Sequence, residues 1–180
     1  MKPLSAMNRE QLAAYIQTWL RDKGIDAVLT GGSVVSIYSG NRYVSKDLDF
    51  VITGFVRRSK VKKAMEEIRF EQIGRYFEHS QVDLLVEFPG GPLSVGDQKV
   101  QEIKTLEYDT GTLKLLSPTD CVKDRLAAYY HWGDRQSLIQ ALMVAQDHKI
   151  NLDEIAQWSK GEGKGDEYKK IEEKIRQASR

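Results

Sequence analysis

The stretch DAVLTGGSVVSIYSGNRYVSKDLDFVIT, residues 26–53, constrains the fold more than any other part of the chain. A strand-length apolar run, Asp26 to Thr30, empties into the double glycine Gly31-Gly32. Ser33 to Tyr38 then has helical character up to Gly40-Asn41, and Asp47 to Thr53 reads as a strand. Strand, glycine turn, helix, strand is the rhythm of an α/β unit.

The rest of the first 116 residues continues in kind. Leu12, Tyr15, Ile16 and Leu20 recur at helical spacing between Asn8 and Lys23, and Gly24 follows as a stop. A basic helix is expected over Ser59 to Arg69. Strands are expected over Phe70 to Phe77 and Gln81 to Phe88, with the turn near His79-Ser80, then near Val100 to Tyr108 and Thr112 to Leu116. Pro89-Gly90-Gly91-Pro92 is a loop. Beyond Leu116 only helical signals remain. Ser117-Pro118-Thr119-Asp120 caps a helix over 118–132, a second is expected over 134–148, and Asn151 starts a third. The tail after a glycine-rich hinge at 161–165 carries one thin stripe, Tyr168, Ile171 and Ile175, and is expected to pack weakly, fray or touch a partner. The expected fold class is therefore α/β (α+β): a mixed sheet with flanking helices over 1–116 and a helical subdomain over 117–180.

Bulk properties narrow the function. Lys and Arg number 27 against 26 Asp and Glu, a net charge of +1, so no large global affinity for nucleic acid is expected, and only a local patch stays open. The single cysteine, Cys121, excludes an intrachain disulfide and multi-cysteine zinc sites. It lacks any cue for activation and reads as a small buried hydrophobe. A cytoplasmic protein with no membrane span is expected.

Chemistry concentrates on two strands. Asp47 and Asp49 are two apart, so both carboxylates face one side, about 6.5 Å apart at Cα, while Leu48 and Phe50 face the other. Paired carboxylates suit magnesium, and an exposed strand shows the same alternation for no reason but solvent. On the second strand Asp83, Leu85 and Glu87 share a face. If the two strands are neighbours, Asp83 completes a three-carboxylate site, with Glu87 as the fallback third ligand. Gly31-Gly32-Ser33 offers backbone N–H groups and a hydroxyl to a phosphate, or simply a tight turn with Ser33 as cap.

A glycine–glycine–serine turn followed by a hydrophobic-flanked Asp-x-Asp resembles the nucleotidyltransferase superfamily related to DNA polymerase β, from about Ala27 to Phe88. The resemblance implies that Gly31, Gly32 and Ser33 bind the triphosphate of ATP or another nucleoside triphosphate, and that Asp47, Asp49 and Asp83 hold Mg2+, with Mn2+ as its substitute, and form the catalytic triad. The implied activity is transfer of a nucleoside monophosphate to a hydroxyl of RNA or tRNA, of a protein, or of a small molecule, with release of pyrophosphate. Within the superfamily the chain is similar to small prokaryotic nucleotidyltransferases of the AbiEii toxin type, which implies roles for Lys123 in CVKDRLAAYY and Asp134 in HWGDRQSLIQA. It departs from that pattern in having Gly133 before Asp134. The other reading of Lys123 is a solvated lysine at the edge of its helix. The rival to an enzyme is a non-catalytic nucleotide- or partner-binding protein of the same fold, one half of a toxin–antitoxin pair.

The run Arg57-Arg58-Ser59-Lys60-Val61-Lys62-Lys63 suits an RNA or DNA acceptor, though a solvated helix face is the commoner meaning. His79, His131 and His148 show no metal-ligand spacing.

Overall fold

The computed structural model describes residues 2–180, which divide into two compact units. The first holds residues up to Ser33, Ser45–Leu93 and Ile103–Leu115; the second holds Val34–Val44, Ser94–Glu102 and Leu116–Arg180. The helical unit thus draws in a helix and a hairpin from the first 116 residues. Among the described residues no helix is long and apolar enough to cross a membrane.

The first unit is built on a mixed seven-stranded sheet. In chain order its strands are β1 (Ala27–Thr30), β2 (Asp47–Ile52), β3 (Glu71–Ile73), β4 (Tyr76–His79), β5 (Val82–Glu87), β8 (Ile103–Tyr108) and β9 (Gly111–Leu116), arranged β3-β4-β5-β2-β1-β9-β8. The expected strand over 70–77 is two strands, because the chain reverses at Gly74 (φ +62°), and the sheet gains an edge hairpin. Helix α1 (Arg9–Asp22) begins at a capping box in which the Asn8 side chain accepts from the Gln11 N–H and the Gln11 side chain accepts from the Asn8 N–H. Its buried Gln17 accepts from the N–H of Lys114 and donates to its carbonyl (2.8 Å), which ties α1 to β9 with no polar group orphaned. The Trp19 indole donates to the Ala64 carbonyl of α3 (Arg58–Glu67) at 2.8 Å.

Register in β2 decides where the carboxylates go. Leu48 and Phe50 are fully buried. Each contributes about 1.5–3 kcal/mol of apolar burial. A slip by one residue would expose both and bury Asp47 and Asp49 instead, so the core itself holds the acids outward.

The second unit contains most of α2 (Gly31–Tyr38), the ribbon β6 (Ser94–Val95) and β7 (Gln98–Lys99), and helices α4 (Pro118–Trp132), α5 (Arg135–Asp147), α6 (Leu152–Gly161) and α7 (Gly165–Ala178). Ser117 caps α4 through the Asp120 N–H, and Pro118 sits in its first turn. The ribbon, not foreseen from sequence, is held by the Trp158 indole donating to the Val95 carbonyl at 3.0 Å. The tail is no loose appendage. Tyr168, Ile171 and Ile175 are buried, since three residues at helical spacing suffice to seat α7 beside α5 and α6.

Candidate functional site

Parallel pairing of β2 with β5 places Asp47 opposite Leu85 and Asp49 opposite Glu87. Partners in a ladder share a face, so Glu87 stands beside the two aspartates. Carboxylate oxygens of Asp47, Asp49 and Glu87 all lie within 4.8 Å of one another. Among the described residues this is the one convergent group of three potential metal ligands.

Asp83 is not in it. Its alternation is as expected, but the register sets it two residues before Leu85, level with Ser45 and so outside the Asp47–Asp49 stretch of β2. It is exposed and borders a groove with Phe70, His79 and Glu78. The face was readable from the sequence; the offset between two strands thirty residues apart was not.

Several neighbours fix the acids. Ser45, buried just before β2, donates to Asp47 Oδ1 at 2.8 Å. The Thr30 hydroxyl donates to the Asp49 carbonyl at 3.2 Å, across the antiparallel β1–β2 pair. Asp49 lies directly against Gly31, whose φ is +68°, and a Cβ at that glycine would overlap the Asp49 carboxylate. Both glycine properties are therefore in use there: a left-handed backbone and the absence of a side chain. Gly31 and Gly32 open α2.

Ser33 has a different place from the one expected. It is fully buried, and its hydroxyl donates to the Asp47 carbonyl while accepting from Arg9 Nη1 at 3.2 Å. It pins the glycine turn to the strand that carries the acids, so its hydroxyl is committed within the protein. Arg9 and Ser45, which sequence reasoning missed, hold this turn and this strand start in position.

Arg75 was also missed, hidden inside the single strand expected over 70–77. Its Nε lies 3.6 Å from Glu87 Oε1, and its guanidinium donates to the Tyr76 hydroxyl. That hydrogen bond, then Glu87 and more weakly Asp47, hold it even more firmly protonated than an ordinary arginine. It is a solvent-facing cation at the rim of three carboxylates, a position suited to a phosphate oxygen.

Lys123 is not a solvated edge residue. It is 2% exposed, and its ammonium pairs with Asp120 Oδ1 (3.1 Å) and with Glu154, and donates to Gln98 Oε1 at 3.4 Å. Two carboxylates already claim its charge, so it joins α4, α6 and β7 within the helical unit. Asp134 caps α5: it accepts from the Gln136 N–H (2.9 Å) and the Ser137 hydroxyl (2.6 Å), the latter being the main reason its carboxyl ionises below the usual range. Cys121 is fully buried, and burial pushes its thiol far up. The histidines are scattered: His148 contacts the Tyr38 carbonyl (2.8 Å), His131 lies 3.8 Å from Glu162, and His79 packs on Phe70.

No family model matches the sequence, and no curated protein matches it significantly. Solved structures do. An antigenic nucleotidyltransferase-like protein from Paracoccidioides brasiliensis is similar over 97% of this chain and 95% of its own, with 17% identity and a TM-score of 0.61. ANT(2″)-Ia in complex with adenylyl-2″-tobramycin is similar over 83% of this chain and 93% of its own, with 12% identity and a TM-score of 0.52. The chain has the nucleotidyltransferase fold.

Proposed function

We propose that the protein is a magnesium-dependent nucleotidyltransferase that moves a nucleoside monophosphate from a nucleoside triphosphate to an acceptor hydroxyl. One observation carries the reading: the convergence of Asp47, Asp49 and Glu87 beside the Gly31-Gly32 turn. Three hard oxygen donors fit Mg2+, or Mn2+ in its place, and exclude a soft-metal site. Asp47, Asp49 and Glu87 would hold the ion, which when bound supplies charge neutralisation at the transferring phosphoryl group.

The chain's own residues do the rest. Amides of Gly31 and Gly32 hold triphosphate oxygens at the start of α2. Arg75, solvent-facing beside Glu87, would meet a further phosphate oxygen. A carboxylate of the cluster accepts the proton of the acceptor hydroxyl as its oxygen bonds to the α-phosphorus. The bond from that phosphorus to the bridging oxygen breaks, and pyrophosphate leaves with the electron pair. Asp83 has no part in this scheme, and Lys123 and Asp134, on which closeness to AbiEii-type toxins would rest, are employed in an ion triad and a helix cap. The reading therefore stands at the level of the superfamily. The neighbour bound to adenylyl-2″-tobramycin, a small molecule carrying an adenylyl group, supports a hydroxyl acceptor. RNA or tRNA ends and protein side chains present the same nucleophile.

Calorimetry with Mg2+ and each nucleoside triphosphate tests the site. Binding that requires Mg2+ and disappears in Asp49→Asn is expected; absence of binding by the wild type to every nucleotide overturns the reading.

A further inference from the structure

Helix α3 is charged against its own dipole. α1, α4, α6 and α7 each carry an acidic residue in the first turn, as the positive end of a helix favours. α3 has none there. It starts after Arg57, with no side-chain cap, continues Arg58, Lys60, Lys62, Lys63, and ends on Glu66 and Glu67. Arg58 and Lys62 are also four apart, a like-charge spacing that costs helix stability. Side chains of Arg57, Arg58 and Lys63 make no ion pair or hydrogen bond among the described residues, and Lys62 reaches only Glu66, at 3.7 Å. A solvated face needs charge, but it does not need this order of charge.

Directly before this segment, in the turn made by Gly54 (φ +84°), Phe55 is 96% exposed. An isolated exposed phenylalanine is ordinary. One that abuts the unpaired cations Arg57, Arg58 and Lys63 on an uncapped helix start puts a stacking ring beside positive charge, the pair of features that suits unpaired nucleotides.

We propose that the turn 53–57 and the first two turns of α3 bind single-stranded RNA, with Phe55 stacking on a base and Arg57, Arg58, Lys62 and Lys63 meeting phosphates. Duplexes hide their base faces, so the aromatic ring selects single strands. An anionic membrane fits less well, because the apolar face of α3 (Val61, Ala64, Met65) is buried inward and only one ring is left to insert. The surface follows the end of β2 opposite to its carboxylates. Phe55 lies six positions beyond Asp49, at most about 20 Å of chain. The proposal stands independently of the transfer reading.

Fluorescence anisotropy with a labelled oligouridylate of about twelve nucleotides, longer than most single-strand sites, tests it. Wild-type protein is expected to bind with a log–log salt slope of about −2 to −3 between about 50 and 200 mM salt, the value for three or four phosphates on a single strand. Phe55→Ala should weaken binding about tenfold and leave the slope alone. The triple change Arg57→Gln, Arg58→Gln, Lys63→Gln should flatten the slope by about 2 with an unchanged or raised Tm, since it removes charges that oppose the dipole. Asp49→Asn should bind as the wild type does, which separates failure here from failure of the catalytic reading. The proposal is overturned by no binding at low salt, by wild-type affinity in both surface variants, by equal displacement with polyglutamate, or by preferential capture on anionic vesicles.

Discussion

Gly31→Ala, compared with Gly40→Ala, isolates the contact between the glycine turn and the acidic cluster. Both glycines have left-handed backbones, φ +68° and +58°. An L-residue in that region costs about 1–2 kcal/mol, partly offset by about 0.4–1 kcal/mol from the less flexible unfolded chain. Each variant should therefore lose about 1 kcal/mol, a fall of about 2–4 °C in Tm at this chain length. They differ in what the new methyl group meets. At Gly40 there is nothing within 4 Å; at Gly31 it would overlap the Asp49 carboxylate, which must turn aside. A displacement of about 1 Å in a catalytic group costs about a hundredfold in rate. Thermal melts and magnesium titrations on the two purified variants, with nucleotidyl transfer measured alongside, should show similar stability loss and loss of metal affinity and turnover in Gly31→Ala alone. Equal metal affinity and equal turnover in both would refute the claim that Gly31 exists to make room for Asp49.

Glu87→Gln should abolish magnesium binding while Asp83→Asn leaves it at the wild-type level, measured by calorimetry; the reverse pattern would restore Asp83 to the site. Lys123→Met leaves Asp120, only 4% exposed, as a buried charge without its cation, and should cost about 3–5 kcal/mol in urea unfolding. A stable Lys123→Met that has lost nucleotide affinity would instead make Lys123 a phosphate ligand. Burial, and secondarily Arg69, hold the pKa of His79 below its usual 6.5. The unfolded chain then binds the proton more readily, so this contribution to stability is complete above pH 6.5 and lost as pH falls through the folded value. Urea midpoints measured across that range should decline less steeply for His79→Gln.

How much was legible follows from the range of the signals. The local ones were: the paired face of Asp47 and Asp49, the glycine turn, and the caps at Ser117 and Asn151 all depend on residues a few positions apart. What failed depended on distance. Asp83 and Glu87 share a face by period two, but only the β2–β5 register chooses between them, and burial of Leu48, Phe50 and Val86 sets that register. Lys123 sits beside the apolar stripe of its own helix and reads as solvated until Glu154, 31 residues on, arrives to pair with it. Arg75 is concealed because Gly74 reads as part of an apolar-flanked strand, and only its positive φ makes it a turn.

The central claim is tested most directly by label transfer. Wild-type protein and Asp49→Asn are each incubated with magnesium, α-labelled nucleoside triphosphates and a cell extract, and thermal melts confirm that both are folded. Asp49→Asn keeps size and strand fit, and removing one of several clustered negative charges should leave stability unchanged or slightly raised. Label in a discrete acceptor is expected with the wild type, and a fall by orders of magnitude with Asp49→Asn. Equal labelling by the two proteins would contradict the central claim.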